Sequence, residues 1–268
     1  MTTQPQKLPV LANVWLAYAT MVRNFAGLLR ISVLPLAMIT LIALLPGLIL
    51  PAEWCDSGSD GKIRFAPLLV SGVVSLLYLP FASMIAVAWH NFVLRGEPLK
   101  VRVNFLYDGE LRGYLMLGAV FELVGQAVSL TFTLAAYQFA SNGTPSDVVF
   151  AALNWILFVV SVFFTIRLSP LFPSVAVGSG ATFAQTWRVT RGSFWRLFWG
   201  SLLTIAPLAL LINILSMWLS PRFGEPGSPP VLTWDAVNVA TAFLAGVVEL
   251  GFLSLAYRHF FESPAQPA

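Results

Sequence analysis

The sequence is poor in charge and in cysteine. Only 10% of its 268 residues are charged, against about 25% in soluble globular proteins. So few charged side chains cannot cover the water-facing surface of a chain this long, which excludes a soluble globular fold. The formal net charge of +3 is too small to indicate binding to nucleic acid. The single cysteine, Cys55, excludes an intramolecular disulfide and any cysteine-based metal cluster.

The sequence also lacks the common catalytic patterns. It has no glycine-rich phosphate loop ending in lysine, no His-Glu-x-x-His, no Gly-x-Ser-x-Gly and no cysteine pair. We therefore expect no catalytic activity, no cofactor and no metal site.

What the sequence does contain is long apolar stretches. Hydrophobic residues make up 57% of the chain, and the mean hydropathy is +0.79. A spanning helix needs about 20 mostly apolar residues. Six stretches qualify: 28–50, 67–94, 113–140, 148–172, 194–219 and 236–260. The connectors between them are short, so we predict an all-α polytopic membrane helix bundle in which residues 1–268 form a single membrane domain.

The basic residues predict the orientation of the chain, because Lys and Arg gather on the cytoplasmic side of short loops. Threading the six spans places twelve of them on one side: Lys7, Arg23, Arg30, Arg95, Lys100, Arg102, Arg112, Arg167, Arg188, Arg191, Arg196 and Arg258. The other side has Lys62, Arg64 and Arg222. We therefore expect both termini in the cytoplasm.

Two further segments have helical patterns that are too polar to span. In residues 9–25 one face carries Asn13, Ala17 and Thr20, and the opposite face is apolar around Trp15. Residues 181–193 alternate in the same way around Trp187. Amphipathic helices with these residues lie in the headgroup layer with the apolar face down, so both are predicted to be interfacial.

The two interfacial segments suggest an internal duplication. Each leads into a span that contains a proline, Pro35 in the first span and Pro207 in the fifth. The span that follows ends in a similar cluster, with His90 in one case and His259 in the other. Parallel repeats of this kind are known in membrane proteins, although converging compositions at membrane entry would produce the same pattern.

The run Arg167–Pro173 and the run Trp187–Arg196, together with Trp89-His90, resemble a bacterial family of six-span inner-membrane proteins. This family is similar to the membrane domain attached to some glycerophosphodiester phosphodiesterases and to the YciC-like proteins. The residues that carry the resemblance are Trp89, His90, Arg167, Pro173, Trp187, Arg191, Gly192 and Trp195. The resemblance implies the bacterial inner membrane. It implies no activity, since the phosphodiesterase barrel is absent.

Two acidic residues, Glu122 and Glu249, fall inside predicted spans. A carboxylate there costs at least about 2.5–3.5 kcal/mol, so it should face the bundle interior and find partners. Gln126, one turn after Glu122, is a candidate partner. If the two carboxyl groups meet, they would share a proton and suit a proton- or cation-coupled carrier. Alternatively, each bonds a neighbouring helix backbone or an arginine such as Arg167.

The remaining polar residues near the span ends have simpler interpretations. Arg30 and Arg167 lie close to the predicted cytoplasmic boundary, where long side chains reach lipid phosphates. His90 and His259 are expected to cap helix ends at the interface rather than to bind metal.

The favoured functional hypothesis is therefore a non-catalytic integral membrane protein. Its expected partners are membrane lipids, with membrane-protein partners or a homo-oligomer as further possibilities. The alternative is a proton- or cation-coupled transporter of small solutes that uses Glu122 and Glu249.

Overall fold

The computed structural model describes residues 7–51, 65–105, 107–142, 145–219 and 230–262. All regular structure within these ranges is helical. The helices are α1 (Val10–Arg23), α2 (Phe25–Ile49), α3 (Phe65–Arg95), α4 (Gly109–Asn142), α5 (Pro145–Leu168), α6 (Leu171–Ala176), α7 (Phe183–Val189), α8 (Phe194–Leu219) and α9 (Pro230–Tyr257), followed by a π-helical turn over Arg258–Glu262.

Six of these helices are long and apolar enough to cross a membrane. The apolar segments are Phe25–Pro46, Ala66–Arg95, Gly109–Ala135, Val148–Leu168, Phe194–Leu215 and Val239–Glu262. Each coincides with one of the six predicted stretches. Helices with apolar side chains around the whole circumference need lipid or other helices on every side. The prediction of an all-α multi-pass membrane bundle is therefore confirmed.

Two predicted boundaries are wrong for identifiable reasons. The fourth stretch was expected to continue to residue 172, but α5 ends at Leu168 and α6 starts after Pro170. Proline cannot donate the backbone hydrogen bond that would continue the helix. The first span begins at Phe25 rather than 28, because α1 ends at Arg23 and only Asn24 separates it from the next helix. Pro35, Pro80 and Pro207 lie inside continuous helices.

Several sequence predictions fall outside the described residues. They concern the connectors 52–64, 143–144 and 220–229, which contain Cys55 and the three basic residues assigned to the outer side. The single-domain prediction and the internal duplication stay predictions. The chain divides into two compact units, which are described separately: unit 1 is Met1–Val33, Ile85–Arg102 and Arg167–Ala268, and unit 2 is Leu34–Met84 and Val103–Ile166.

Unit 1 is built on the packing of α1, α8 and α9. Glycines allow this close packing. A side chain at Gly251 of α9 would meet Ala17 of α1 at 3.3 Å. At Gly200 of α8 a β-carbon would lie 1.9 Å from the ring of Phe252 on α9, which is fully buried. Helix backbones therefore approach closely where glycine faces a large or rigid neighbour.

Helix α1 has a buried face that the sequence analysis did not identify. Val14, Ala17 and Met21 are buried, at the spacing of one helical stripe. Ala17 was assigned to the wet polar face, but it packs against α9 instead. The opposite side exposes Leu11 and Trp15, which are 74% and 75% accessible. This apolar side remains available for lipid, as the interfacial prediction requires, while the small-residue face attaches α1 to the bundle.

In unit 2, aromatic rings connect α4 with α5. Phe132 packs edge-on against Trp155 with ring centroids 5.2 Å apart, and Trp155 packs edge-on against Phe158. Edge-to-face pairs of this kind add about 0.5–1.5 kcal/mol beyond area burial. Nearer the start of α4, a β-carbon built at Gly118 lies 3.6 Å from Leu79 of α3.

Candidate functional site

The carboxyl group of Glu249 lies against two hydroxyl groups of a neighbouring span. The Ser201 hydroxyl donates to Oε1 of Glu249 at 2.7 Å. The Thr204 hydroxyl lies within hydrogen-bonding distance of Oε2, and also 2.7 Å from the backbone carbonyl oxygen of Ser201. Ser201 and Thr204 are three residues apart, so α8 presents both to the same side of α9. We call Glu249, Ser201 and Thr204 the carboxyl site.

Gly200 makes this contact possible. It precedes Ser201 on α8, and Phe252 follows Glu249 by three residues on α9, so the ring fills the space that glycine leaves. The sequence predicts Glu249 as a site residue, but it does not predict its partners Ser201 and Thr204. The sequence does contain one indication of these partners. In the span that precedes Glu249 along the chain, the pair Gly200-Ser201 is followed by Thr204 about one helical turn later.

Helix α1 reaches the same region through Tyr18. The phenol donates to the backbone carbonyl oxygen of Thr204 at 2.7 Å. Pro207, three residues further along α8, lacks a backbone donor and disturbs the hydrogen-bond ladder of the preceding turn. Burial raises the pKa of Tyr18 above its ordinary value of 10.0. The phenol is therefore a neutral donor at physiological pH.

Tyr18 predicts a loss of stability at alkaline pH. Below pH 10 the phenol is protonated in both the folded and the unfolded chain. Above it the unfolded chain ionises first, so folding becomes less favourable as pH rises. Above pH 10, the thermal unfolding midpoint in detergent should fall more steeply with pH in the wild type than in Tyr18→Phe. At neutral pH, loss of the hydrogen bond in Tyr18→Phe should lower the stability by about 1 kcal/mol. Tyr107→Phe, at an 86% exposed position, is the matched control; equal slopes in all three proteins would contradict the assignment.

Glu122 belongs to unit 2 and has a different environment. The Gln126 side chain, one turn later on α4, donates to Oε1 of Glu122 at 2.7 Å and lies 3.4 Å from the Ser75 hydroxyl of α3. Sequence spacing predicts the pair of Glu122 and Gln126, and the structure contains it. Because Glu249 lies in unit 1, a proton shared by the two carboxyl groups stays a prediction.

His90 is buried rather than interfacial. Its side chain is fully inaccessible, and Nδ1 lies 2.7 Å from the hydroxyl of Ser254 on α9. That hydroxyl donates to the carbonyl oxygen of Leu250. The expectation that His90 caps a helix end in the wet interface is therefore wrong. Its neighbour Trp89 is also fully buried and stacks on Phe92.

The turn after α6 is attached to the end of α3 by polar side chains. The Asn91 amide donates to the carbonyl oxygens of Val87 and Ala176, at 3.0 and 2.9 Å. Arg95 donates to Asn91 and to the carbonyl oxygen of Val177. Pro173 is buried in the first turn of α6, where its missing donor costs nothing. These contacts hold helices together and present no open polar site.

Arg167 differs from its predicted role. It was expected to reach lipid phosphates, but it is only 7% exposed. Its guanidinium donates to the backbone carbonyl oxygen of Trp187, lies 3.4 Å from the Thr190 hydroxyl and stacks 3.6 Å from the centre of the Trp187 ring. It thus attaches the end of α5 to α7.

The remaining residues that carry the family resemblance, Arg191, Gly192 and Trp195, lie in the turn after α7 and in the first turn of α8. Helix α7 begins with a capping box between Thr182 and Gln185. After it, Gly192 has a φ of 80°, which other residues rarely adopt. Arg191 is exposed, and Trp195 is 65% exposed.

Within the described ranges, no group of three or more His, Cys, Asp or Glu side chains could hold a metal ion. No family model matches this chain, and no curated protein or solved structure matches it.

Proposed function

We propose that this multi-pass membrane protein is a non-catalytic component of the bacterial inner membrane. Both termini lie in the cytoplasm, and the protein acts through lipids or membrane-protein partners. Two observations support a non-catalytic role. Two polar residues that carry the family resemblance, His90 and Arg167, form hydrogen bonds to other helices. Among the described residues, the exposed charged side chains are mainly arginines, which bind anions rather than perform acid–base chemistry.

The observation that carries the lipid assignment is the composition of the exposed surface around α7 and the start of α8. Arg188 and Arg191 are exposed there, next to the exposed rings of Phe183 and Trp195. The rings of Phe194, Trp195, Phe198 and Trp199 contact one another in sequence. Tryptophan is enriched at membrane–water interfaces, and arginine binds phosphate through a planar fork. We call residues 183–199 the interfacial patch and assign it to anionic lipid headgroups.

Native mass spectrometry of the purified protein tests this assignment. Wild type should retain phosphatidylglycerol more strongly than phosphatidylcholine. Near an anionic surface each basic residue contributes about 1 kcal/mol, so Arg188→Gln with Arg191→Gln should weaken phosphatidylglycerol binding roughly thirtyfold. Lys100→Gln with Arg112→Gln removes the same charge outside the patch and should weaken phosphatidylglycerol binding by a smaller factor. Equal loss in both double variants would overturn the assignment.

The carboxyl site favours a second candidate function, a proton- or cation-coupled carrier. Glu249 lies within a candidate span and bonds hydroxyl groups of another span, as coupling carboxyls in membrane proteins do. Proteoliposomes that carry a pH gradient and an internal pH dye provide the test. A carrier should dissipate the gradient faster than empty vesicles, and Glu249→Gln or Glu122→Gln should abolish this. Equal rates in protein-containing and empty vesicles would remove the candidate.

A further inference from the structure

The carboxyl site contains three contacts between oxygen atoms. The Ser201 hydroxyl faces Oε1 of Glu249 at 2.7 Å. The Thr204 hydroxyl faces the Ser201 carbonyl oxygen at 2.7 Å, and it also contacts Oε2 of Glu249. Each contact is a hydrogen bond only if one hydrogen lies between its two oxygens. The two hydroxyl groups supply two hydrogens for three contacts.

An ionised Glu249 leaves one contact without a hydrogen. A carboxylate and a backbone carbonyl only accept, and the Thr204 hydroxyl has a single hydrogen to donate. The Thr204 hydroxyl can donate either to Oε2 or to the Ser201 carbonyl oxygen. The two oxygens of the other contact then face each other with lone pairs only, which is repulsive. With a proton on Oε2, the carboxyl group donates to Thr204, Thr204 donates to the Ser201 carbonyl, and Ser201 donates to Oε1. All three contacts are then hydrogen bonds.

We propose that Glu249 is a proton-binding site, and that the folded arrangement of α8 and α9 is its protonated form. The surroundings favour the neutral group. Residues 197–208 of α8 carry no charge, and the neighbours of Glu249 one turn along α9 are Ala245, Gly246, Phe252 and Leu253. A neutral carboxyl avoids the desolvation cost that an ionised one incurs inside a membrane.

Three titratable groups on elements next to the carboxyl site bond to other atoms. Tyr18 of α1 donates to the Thr204 backbone carbonyl, His90 of α3 contacts Ser254, and Arg196 at the start of α8 donates to the carbonyl oxygen of Leu8. Helix α6 has no titratable side chain. Thr204 thus contacts the carboxyl group through its side chain and α1 through its backbone. Release of the proton would leave one of the two side-chain contacts of Thr204 without a hydrogen, at a residue that joins α1, α8 and α9.

Infrared spectroscopy of the full chain in phosphatidylcholine vesicles tests the proposal. At neutral pH, wild type should show the carbonyl stretching band of a protonated carboxyl group. Glu249→Gln should remove this band, and Glu122→Gln should leave it. Thr204→Val removes the acceptor of the carboxyl hydrogen, so the band should move to higher frequency.

The glutamine variant keeps the test independent of folding. Its amide donates to Thr204 and accepts from Ser201, so Glu249→Gln should retain the wild-type melting temperature, whereas Glu249→Ala should lower it. A wild-type spectrum unchanged in Glu249→Gln would overturn the proposal. The band is measured without a pH gradient, so it can be present even when the vesicles show no carrier activity.

Discussion

Gly200→Ala is expected to be among the most damaging substitutions in this protein. The added β-carbon would lie 1.9 Å from Cζ of Phe252, far inside van der Waals contact. Phe252 is fully buried, so its ring cannot simply move aside. Overpacking a dense core costs about 1–3 kcal/mol and occasionally more, and we expect about 3 kcal/mol here because two spans must separate. The measurement is the thermal unfolding midpoint and the monodisperse yield in detergent.

A second substitution at the same contact separates this explanation from a general effect of alanine in a span. Phe252→Leu shortens the facing side chain and should restore part of the stability lost in Gly200→Ala. Gly246→Ala on α9 is the matched control, because an added β-carbon there meets nothing within 4 Å. It should be neutral or slightly stabilising. If Gly246→Ala is as damaging as Gly200→Ala, the contact with Phe252 is not the cause.

Removal of Arg167 should have a comparable effect. Its guanidinium bonds the Trp187 carbonyl and stacks on the Trp187 ring. Hydrogen bonds to a charged group contribute about 1.5–3 kcal/mol, and a desolvated cation–π contact about 2 kcal/mol. Arg167→Leu should therefore destabilise the protein by about 3 kcal/mol or more, visible as early proteolysis near α7.

Lysine and an exposed arginine provide the controls for Arg167. Arg167→Lys keeps the charge but loses the planar fork, so it should recover less than half of the lost stability. Arg188→Gln removes an exposed charge from α7 and should change the unfolding midpoint little. Full recovery by lysine would show that charge alone, rather than the geometry of the stacked planar guanidinium, holds α7.

The membrane fold follows from the sequence because it depends on composition. Six mostly apolar stretches of more than 20 residues have no other stable arrangement in lipid. Glu122 and Glu249 were identifiable for the same reason, since a carboxyl group in such a stretch is rare whatever its neighbours. The pair of Glu122 and Gln126 follows from helical spacing alone.

The partners across helices did not follow from the sequence. His90 and Ser254 are 164 residues apart, and no local pattern pairs them. Arg167 near a span end resembles an arginine that reaches lipid, and only the position of Trp187 shows that it faces inward. Ser201 and Thr204 are ordinary residues in a span until α9 brings Glu249 against them. Tertiary packing, which local patterns do not encode, decides each of these roles.

The native cysteine allows the most direct test of the six-span arrangement. Cys55 follows the first span and is predicted on the outer side, whereas Lys100 follows the second span on the cytoplasmic side. A membrane-impermeant maleimide should label wild-type Cys55 in intact bacterial cells. The variant Cys55→Ser with Lys100→Cys should be labelled only after the membrane is opened. Labelling of both positions in intact cells, or of position 100 alone, would contradict the arrangement of the spans.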